Sequence, residues 1–84
     1  MSTPFLIISR EYKMLNERIK NLRLSHNLTQ KQLADVLSIS MLSMQRFEYG
    51  TRRPSLDTII TLANYFDVSI DYLVGRTDNP DVNK

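Results

Sequence analysis

The sequence predicts an all-α chain, a compact bundle of four or five short helices. Three observations carry this. Apolar residues recur at helical spacing along most of the 84 positions. Two glycines and three prolines are too few breakers for a loop-rich chain. Thr29, Ser40, Ser55 and Ser69 each stand just before an apolar-periodic stretch, where a hydroxyl can accept from the unpaired N–H groups of a helix start.

The elements follow in order. Residues 5–8 form a short apolar run, Phe5, Leu6, Ile7 and Ile8, after Pro4. β-branched and aromatic residues behind a proline suit an extended segment, and a lone strand needs a partner such as its own copy in a dimer. The run reads equally as an apolar arm on its own core or as the start of the first helix. Residues 10–27 are the expected first helix, with Leu15, Ile19, Leu22 and His26 on one face. Glu17, Arg18 and Lys20 fall off that face, and lone His26 reads as a helix-end or packing residue. Arg23 sits beside the apolar face, where a charge requires a partner.

The second helix spans residues 29–37. Thr29 with Gln32 forms a capping box, Leu28 with Leu33 a hydrophobic staple, and Leu33, Val36 and Leu37 the inner face. After a turn at 38–39, Ser40 caps a third helix with Ile39 and Met44 in staple positions. Its Met44 and Phe47 point inward, Leu42, Gln45 and Arg46 outward, and Met41 and Glu48 lie on the flank. Gly50 is its stop. A basic loop, residues 51–54, leads to a fourth helix capped by Ser55, with an apolar face of Leu56, Ile59, Ile60, Ala63 and Phe66. Ser69 caps a last short helix carrying Ile70, Leu73 and Val74, and Gly75 ends it. The division is an arm and helix start at 1–14, a core domain at 15–75 and a polar tail at 76–84. No repeat or low-complexity segment is visible.

Composition narrows the function classes. No cysteine excludes a disulfide frame and a cysteine metal site, and fits a reducing, cytoplasmic setting. No apolar run approaches the ~20 residues of a membrane span, and no secretory leader is expected at the N-terminus. Net charge is only +2, yet residues 10–53 carry nine basic against four acidic side chains, and residues 54–84 two against five. That imbalance suggests one face for a polyanion, or only a solvated charged surface. No phosphate-cradling glycine loop, nucleophile elbow or HExxH motif is present, so no enzyme, cofactor or metal is expected.

Two helices of about nine residues joined by a tight turn describe a helix-turn-helix. In DNA-binding versions the second helix enters the major groove. Arg46 suits a two-pronged contact to guanine and Gln45 a pairing with adenine, while Met41 and Leu42 suit thymine methyls. Thr29, Gln30 and Ser40, at helix starts, suit phosphate oxygens, as do Arg52 and Arg53. The same polar residues also read as ordinary solvated positions.

LNERIKNLRLSHNLTQKQLADVLSIS together with FEYGTRRPSLDTIITLANYFDVSIDYL resembles the Xre family of bacterial and phage regulators, which includes the Cro and CI repressors. The resemblance covers roughly residues 15–75. It implies a four-to-five-helix bundle binding double-stranded operator DNA as a dimer, often as a repressor. It makes Gln30 a phosphate contact that steadies the recognition helix, and Met41, Leu42, Gln45 and Arg46 the groove-facing set. It lays residues 49–53 along the DNA backbone and pairs Arg23 with Glu48. Two departures stand out. Ser38 occupies the turn where the family usually has glycine, and Met41 and Leu42 are apolar where it is usually polar. Those two side chains and the arm leave a second reading open, a protein-interaction module that meets a toxin or anti-repressor. The expected homodimer surface comprises Phe5, Leu6, Ile7 and Ile8 with Ile70 and Val74.

Overall fold

The computed structural model describes the backbone of residues 3–81 and the side chains of residues 14–81. Five helices follow in order: α1 Thr3–Ser25, α2 Gln30–Leu37, α3 Met41–Tyr49, α4 Leu56–Phe66 and α5 Ile70–Leu73. No strand occurs among the described residues, so the fold is the expected all-α bundle.

The segment 5–8 is helical, which removes the strand reading: α1 begins at Thr3. A helix satisfies its N–H and C=O groups within the segment, whereas a lone strand leaves them open. Pro4 falls in the first turn, where its missing N–H costs nothing. The side chains of Phe5, Leu6, Ile7 and Ile8 lie outside the described ones, and with them their expected dimer contact. At the other end α1 stops at Ser25, short of residue 27, because Asn27 turns left-handed with φ 58°. Leu28 N–H then donates back to Arg23 O at 3.0 Å, closing the helix end as a glycine would.

The caps follow the local chemistry. Thr29 Oγ1 accepts from Gln32 N–H at 3.0 Å, and Gln32 Oε1 accepts from Thr29 N–H at 2.8 Å, completing the capping box. Ser40, Ser55 and Ser69 each accept from the backbone N–H three residues on. Ser38 adopts φ 57°, ψ 43°, the left-handed backbone that glycine usually supplies at this turn.

Among the described residues each helix contributes a large, fully buried side chain to the core: Ile19, Leu33, Met44, Leu62 and Leu73. Burial of such a side chain is worth about 1.5–3 kcal/mol, so no helix is dispensable. Around them pack Leu15, Ala34, Phe47, Ile59, Ala63, Phe66 and Val68. α1 packs on α3 and α5, α2 on α3 and α4, and α4 on α5.

Two expected faces rotate. On α2 the inner residues are Leu33 and Ala34, with Leu37 half-buried, while Val36 is exposed. On α4 Leu62 is central, whereas Leu56 and Ile60 face solvent at 66% and 38% exposure. In both, α2 and α4 turn a small or previously unassigned residue inward because they pack on each other as well as on their other neighbours. His26 is a packing residue: its ring meets Phe66 edge-on at 4.8 Å.

Residues 76–81, within the expected polar tail, are tied back to the bundle. Arg18, expected off the apolar face, is turned onto them. Its Nη1 donates to Tyr72 O at 2.5 Å and Thr77 O at 2.6 Å, and its Nη2 pairs with Asp78 at 2.8 Å. The guanidinium lies 4.1 Å over the Tyr72 ring, a cation–π contact. Ser69 N–H donates to Pro80 O at 2.9 Å, so the segment runs back across the start of α5.

Candidate nucleic-acid interface

The site is built where α1, α2 and α3 meet. At its centre lies a charged network. Arg23 Nε donates to Glu48 Oε2 at 2.7 Å and Arg23 Nη2 to Glu48 Oε1 at 3.1 Å. Arg23 Nη1 donates to Leu28 O at 2.8 Å, which ties the pair to the loop between α1 and α2. Gln30 Nε2 adds a bond to Glu48 Oε1 at 3.1 Å. The two charged side chains are only 10% and 5% exposed. A carboxylate accepting from a planar guanidinium in this forked manner is the strong form of the contact, and it holds orientation as well as position. The network fixes α3 against both neighbours from its C-terminal half, while Met44 and Phe47 anchor its buried face.

The outer face of α3 carries Met41 at 45% and Leu42 at 54% exposure, with Arg46 exposed and Gln45 half-buried. Arg46 forms no ion pair among the described residues. At the start of α3, Ser40 Oγ donates to Ser43 Oγ at 3.1 Å and accepts from Ser43 N–H at 3.0 Å. Arg52 Nη1 reaches the same Ser43 Oγ at 3.4 Å, so the basic loop folds toward the first turn of α3. Arg53 is exposed on that loop. Thr29 and Gln30 stand at the start of α2, with Thr29 exposed and Gln30 half-buried.

The structure thus gathers Thr29, Gln30, Ser40, Met41, Leu42, Gln45, Arg46 and Arg52 on α2, α3 and the loop that follows. Ile70, 40% exposed, and Val74, half-buried, belong instead to the α5 region, which packs on α1 and α4. A cleft opens beside the charged network, lined by Lys20, Arg23, Gln30, Gln45, Glu48 and Tyr49. Lys20 had no role in the sequence reading, although it lies three residues before Arg23 and therefore on the same side of α1. Ser43, the contact of Arg52, was likewise missed; its spacing of three from the Ser40 cap was the available signal. No group of three or more metal-ligating side chains occurs among the described residues. None of their helices is long and apolar enough to cross a membrane.

The comparisons agree with this architecture. The chain is 41% identical over 68 residues to an uncharacterised HTH-type transcriptional regulator, YobD, of Bacillus subtilis, covering 81% of this chain and 61% of the relative. It is 37% identical over 62 residues to the cryptic phage CTXphi transcriptional repressor RstR of Vibrio cholerae, covering 74% of this chain and 55% of that one. A crystal structure of a transcriptional regulator from Listeria innocua superposes with a TM-score of 0.72 at 30% identity, over 83% of this chain and 64% of that one. The chain therefore spans less than two thirds of each of these proteins. Residues 19–73 match the helix-turn-helix family itself, a span that takes in the charged network, the last two turns of α1 and all of α2, α3, α4 and α5. By this match and by the residues that resemble it, the chain belongs to the Xre-type helix-turn-helix family.

Proposed function

We propose that this chain is a sequence-specific, DNA-binding transcriptional regulator that represses from operator DNA, with α3 in the major groove. The observation that carries the reading is the contrast between the two sides of α3. Its inner side is immobilised by Met44, Phe47 and the Arg23–Glu48 pair, while its outer side holds Arg46 without an ion pair among the described residues. A reading head needs its helix held in place before the bases arrive, since ordering it on binding would cost free energy, and donors not already committed to the protein's own acceptors. Arg46 and Gln45 supply hydrogen bonds to base edges, and Met41 and Leu42 pack on thymine methyls. Thr29, Gln30, Ser40, Arg52 and Arg53 hold the phosphates.

The regulator acts in the cytoplasm as a homodimer, through Ile70, Val74 and the apolar segment at 5–8. Its half-site centres then lie about 34 Å apart. Sedimentation that finds a monomer both with and without operator would remove the two-fold arrangement. The exposed Leu42 favours one further reading, in which a protein partner such as a toxin or anti-repressor docks on the same face and displaces DNA.

The direct test is an unbiased selection of DNA sequences by the purified protein. A defined, inverted-repeat motif is expected, with affinity that falls steeply as salt rises because phosphate contacts release counterions. On the selected operator, Arg46→Ala should cost about 1–3 kcal/mol and relax preference at one base pair of each half-site. An Arg46→Ala protein that selects the unaltered motif would remove Arg46 from base reading.

A further inference from the structure

The cleft between α1, α2 and α3 has an electrostatic asymmetry. Its floor is the Arg23–Glu48 pair, whose charges cancel and whose facing atoms are occupied. Glu48 Oε1 accepts two hydrogen bonds and Oε2 one, and all three Arg23 nitrogens donate. Glu48 therefore has little left to offer another cation. Above the floor, Lys20 reaches in from α1 and Gln30 from the first turn of α2. Lys20 is exposed and makes no ion pair or hydrogen bond among the described residues. Gln30 commits one N–H of its amide to Glu48, and an amide NH2 group carries two donors. The cleft thus presents the unspent positive charge of Lys20 and, from Gln30, an unspent amide N–H over a neutral base. Gln45, on the outer side of α3, forms part of the same wall.

We infer that Lys20 makes α1 a third element of the DNA grip, its ammonium holding a backbone phosphate from the opposite side of the cleft to Gln30. This rests on the DNA-binding reading and adds a contact from outside the two helices of the motif. The ligand chemistry is a phosphodiester. An ammonium and an amide N–H facing one cleft suit a single pair of anionic oxygens, and α3, the helix read as entering the groove, stands beside it. Lysine is suited to this, being a compact charge on a flexible stem that follows the phosphate without demanding a forked partner. The contact is indifferent to sequence, so Lys20 sets affinity while Arg46 sets preference.

The test uses the operator obtained by selection and compares wild type, Lys20→Ala and Arg76→Ala in titrations at several salt concentrations. Arg76 is an exposed residue beyond α5, paired with Asp71 at 3.6 Å, and its loss removes the same unit of charge away from the cleft. Lys20→Ala should reduce the slope of log affinity against log salt by about 0.9, so that affinity falls about threefold less between 50 and 200 mM salt. The selected motif should be unchanged, and Arg76→Ala should keep the wild-type slope. An unaltered slope in Lys20→Ala overturns the inference while leaving the regulator reading intact. An equal loss in Arg76→Ala overturns it too, because the effect would then be one of overall charge. A wild-type protein that selects no DNA overturns both.

Discussion

Replacing Glu48 with alanine should destabilise the fold by about 3–5 kcal/mol, because the change strands a buried guanidinium. Arg23 is 10% exposed at its side chain, and of its three donor nitrogens two address Glu48. Without the carboxylate only the Leu28 carbonyl remains, and Gln30 loses its acceptor as well. The magnitude matters because a domain of this size has a total stability of roughly 5–10 kcal/mol. Urea titration of Glu48→Ala should therefore show a much lower midpoint, with a visible unfolded fraction before denaturant is added. Glu48→Gln, which keeps an acceptor but not the charge, should lose less. The double replacement Arg23→Met with Glu48→Leu should be more stable than Glu48→Ala, since apolar partners of similar volume impose no desolvation cost. A loss under about 1 kcal/mol in Glu48→Ala would mean that the pair behaves as a surface ion pair.

Gly50→Ala should be the second large effect, at roughly 2–4 kcal/mol, from two sources that can be separated. Gly50 ends α3 at φ 89°, ψ 12°, and its N–H donates to Arg46 O at 2.9 Å. An L-residue in left-handed backbone costs about 1–2 kcal/mol. A methyl group here would also stand 2.3 Å from Asn16 Nδ2 on α1. Asn16 is buried at 9% exposure, so its amide has little room to withdraw. Trimming the neighbour isolates that second term. In an Asn16→Ala background the cost of Gly50→Ala should drop toward the backbone term alone, about 1–2 kcal/mol. Equal costs in both backgrounds, measured by thermal or urea unfolding, would show that Asn16 yields freely.

These two sites differ in how readable they were. Gly50 announced itself as a helix stop, because only its own backbone is involved. The caps at Thr29, Ser40, Ser55 and Ser69 were legible for the same reason: each hydroxyl meets an N–H three residues away. Ser38 stands where the family usually has glycine, and it takes the left-handed backbone that glycine would supply. Arg23 was recognised as a charge in need of a partner, but Glu48 was named only through the family resemblance. Nothing local links residues 25 positions apart. Asn16 against Gly50 was out of reach for the same reason.

Periodicity misjudged faces where apolar residues outnumber the inward positions. On α4, Leu56, Ile59, Ile60 and Leu62 compete, and helical spacing alone does not say that Leu62 takes the centre. Arg18 was illegible for another reason. Two of its acceptors are main-chain carbonyls, those of Tyr72 and Thr77, and every residue type carries such a group. Within the candidate interface, the division of α3 into anchored and outward residues could be read from the helical wheel. The approach of Lys20 could not, because the position of α1 over α2 and α3 is a property of the packed bundle.

The Arg18 clasp also gives the folded unit an edge that the family match does not mark. The match stops at residue 73, yet Arg18 is satisfied by Thr77 and Asp78, and the Ser69 amide by Pro80. An expression boundary drawn at residue 75 would leave an arginine and a helix-start amide seeking water. The Ser69 amide is also a natural clock. Its hydrogen exchanges with solvent only when residues 76–81 lift, so its exchange rate counts how often the strap opens while the five helices stay folded.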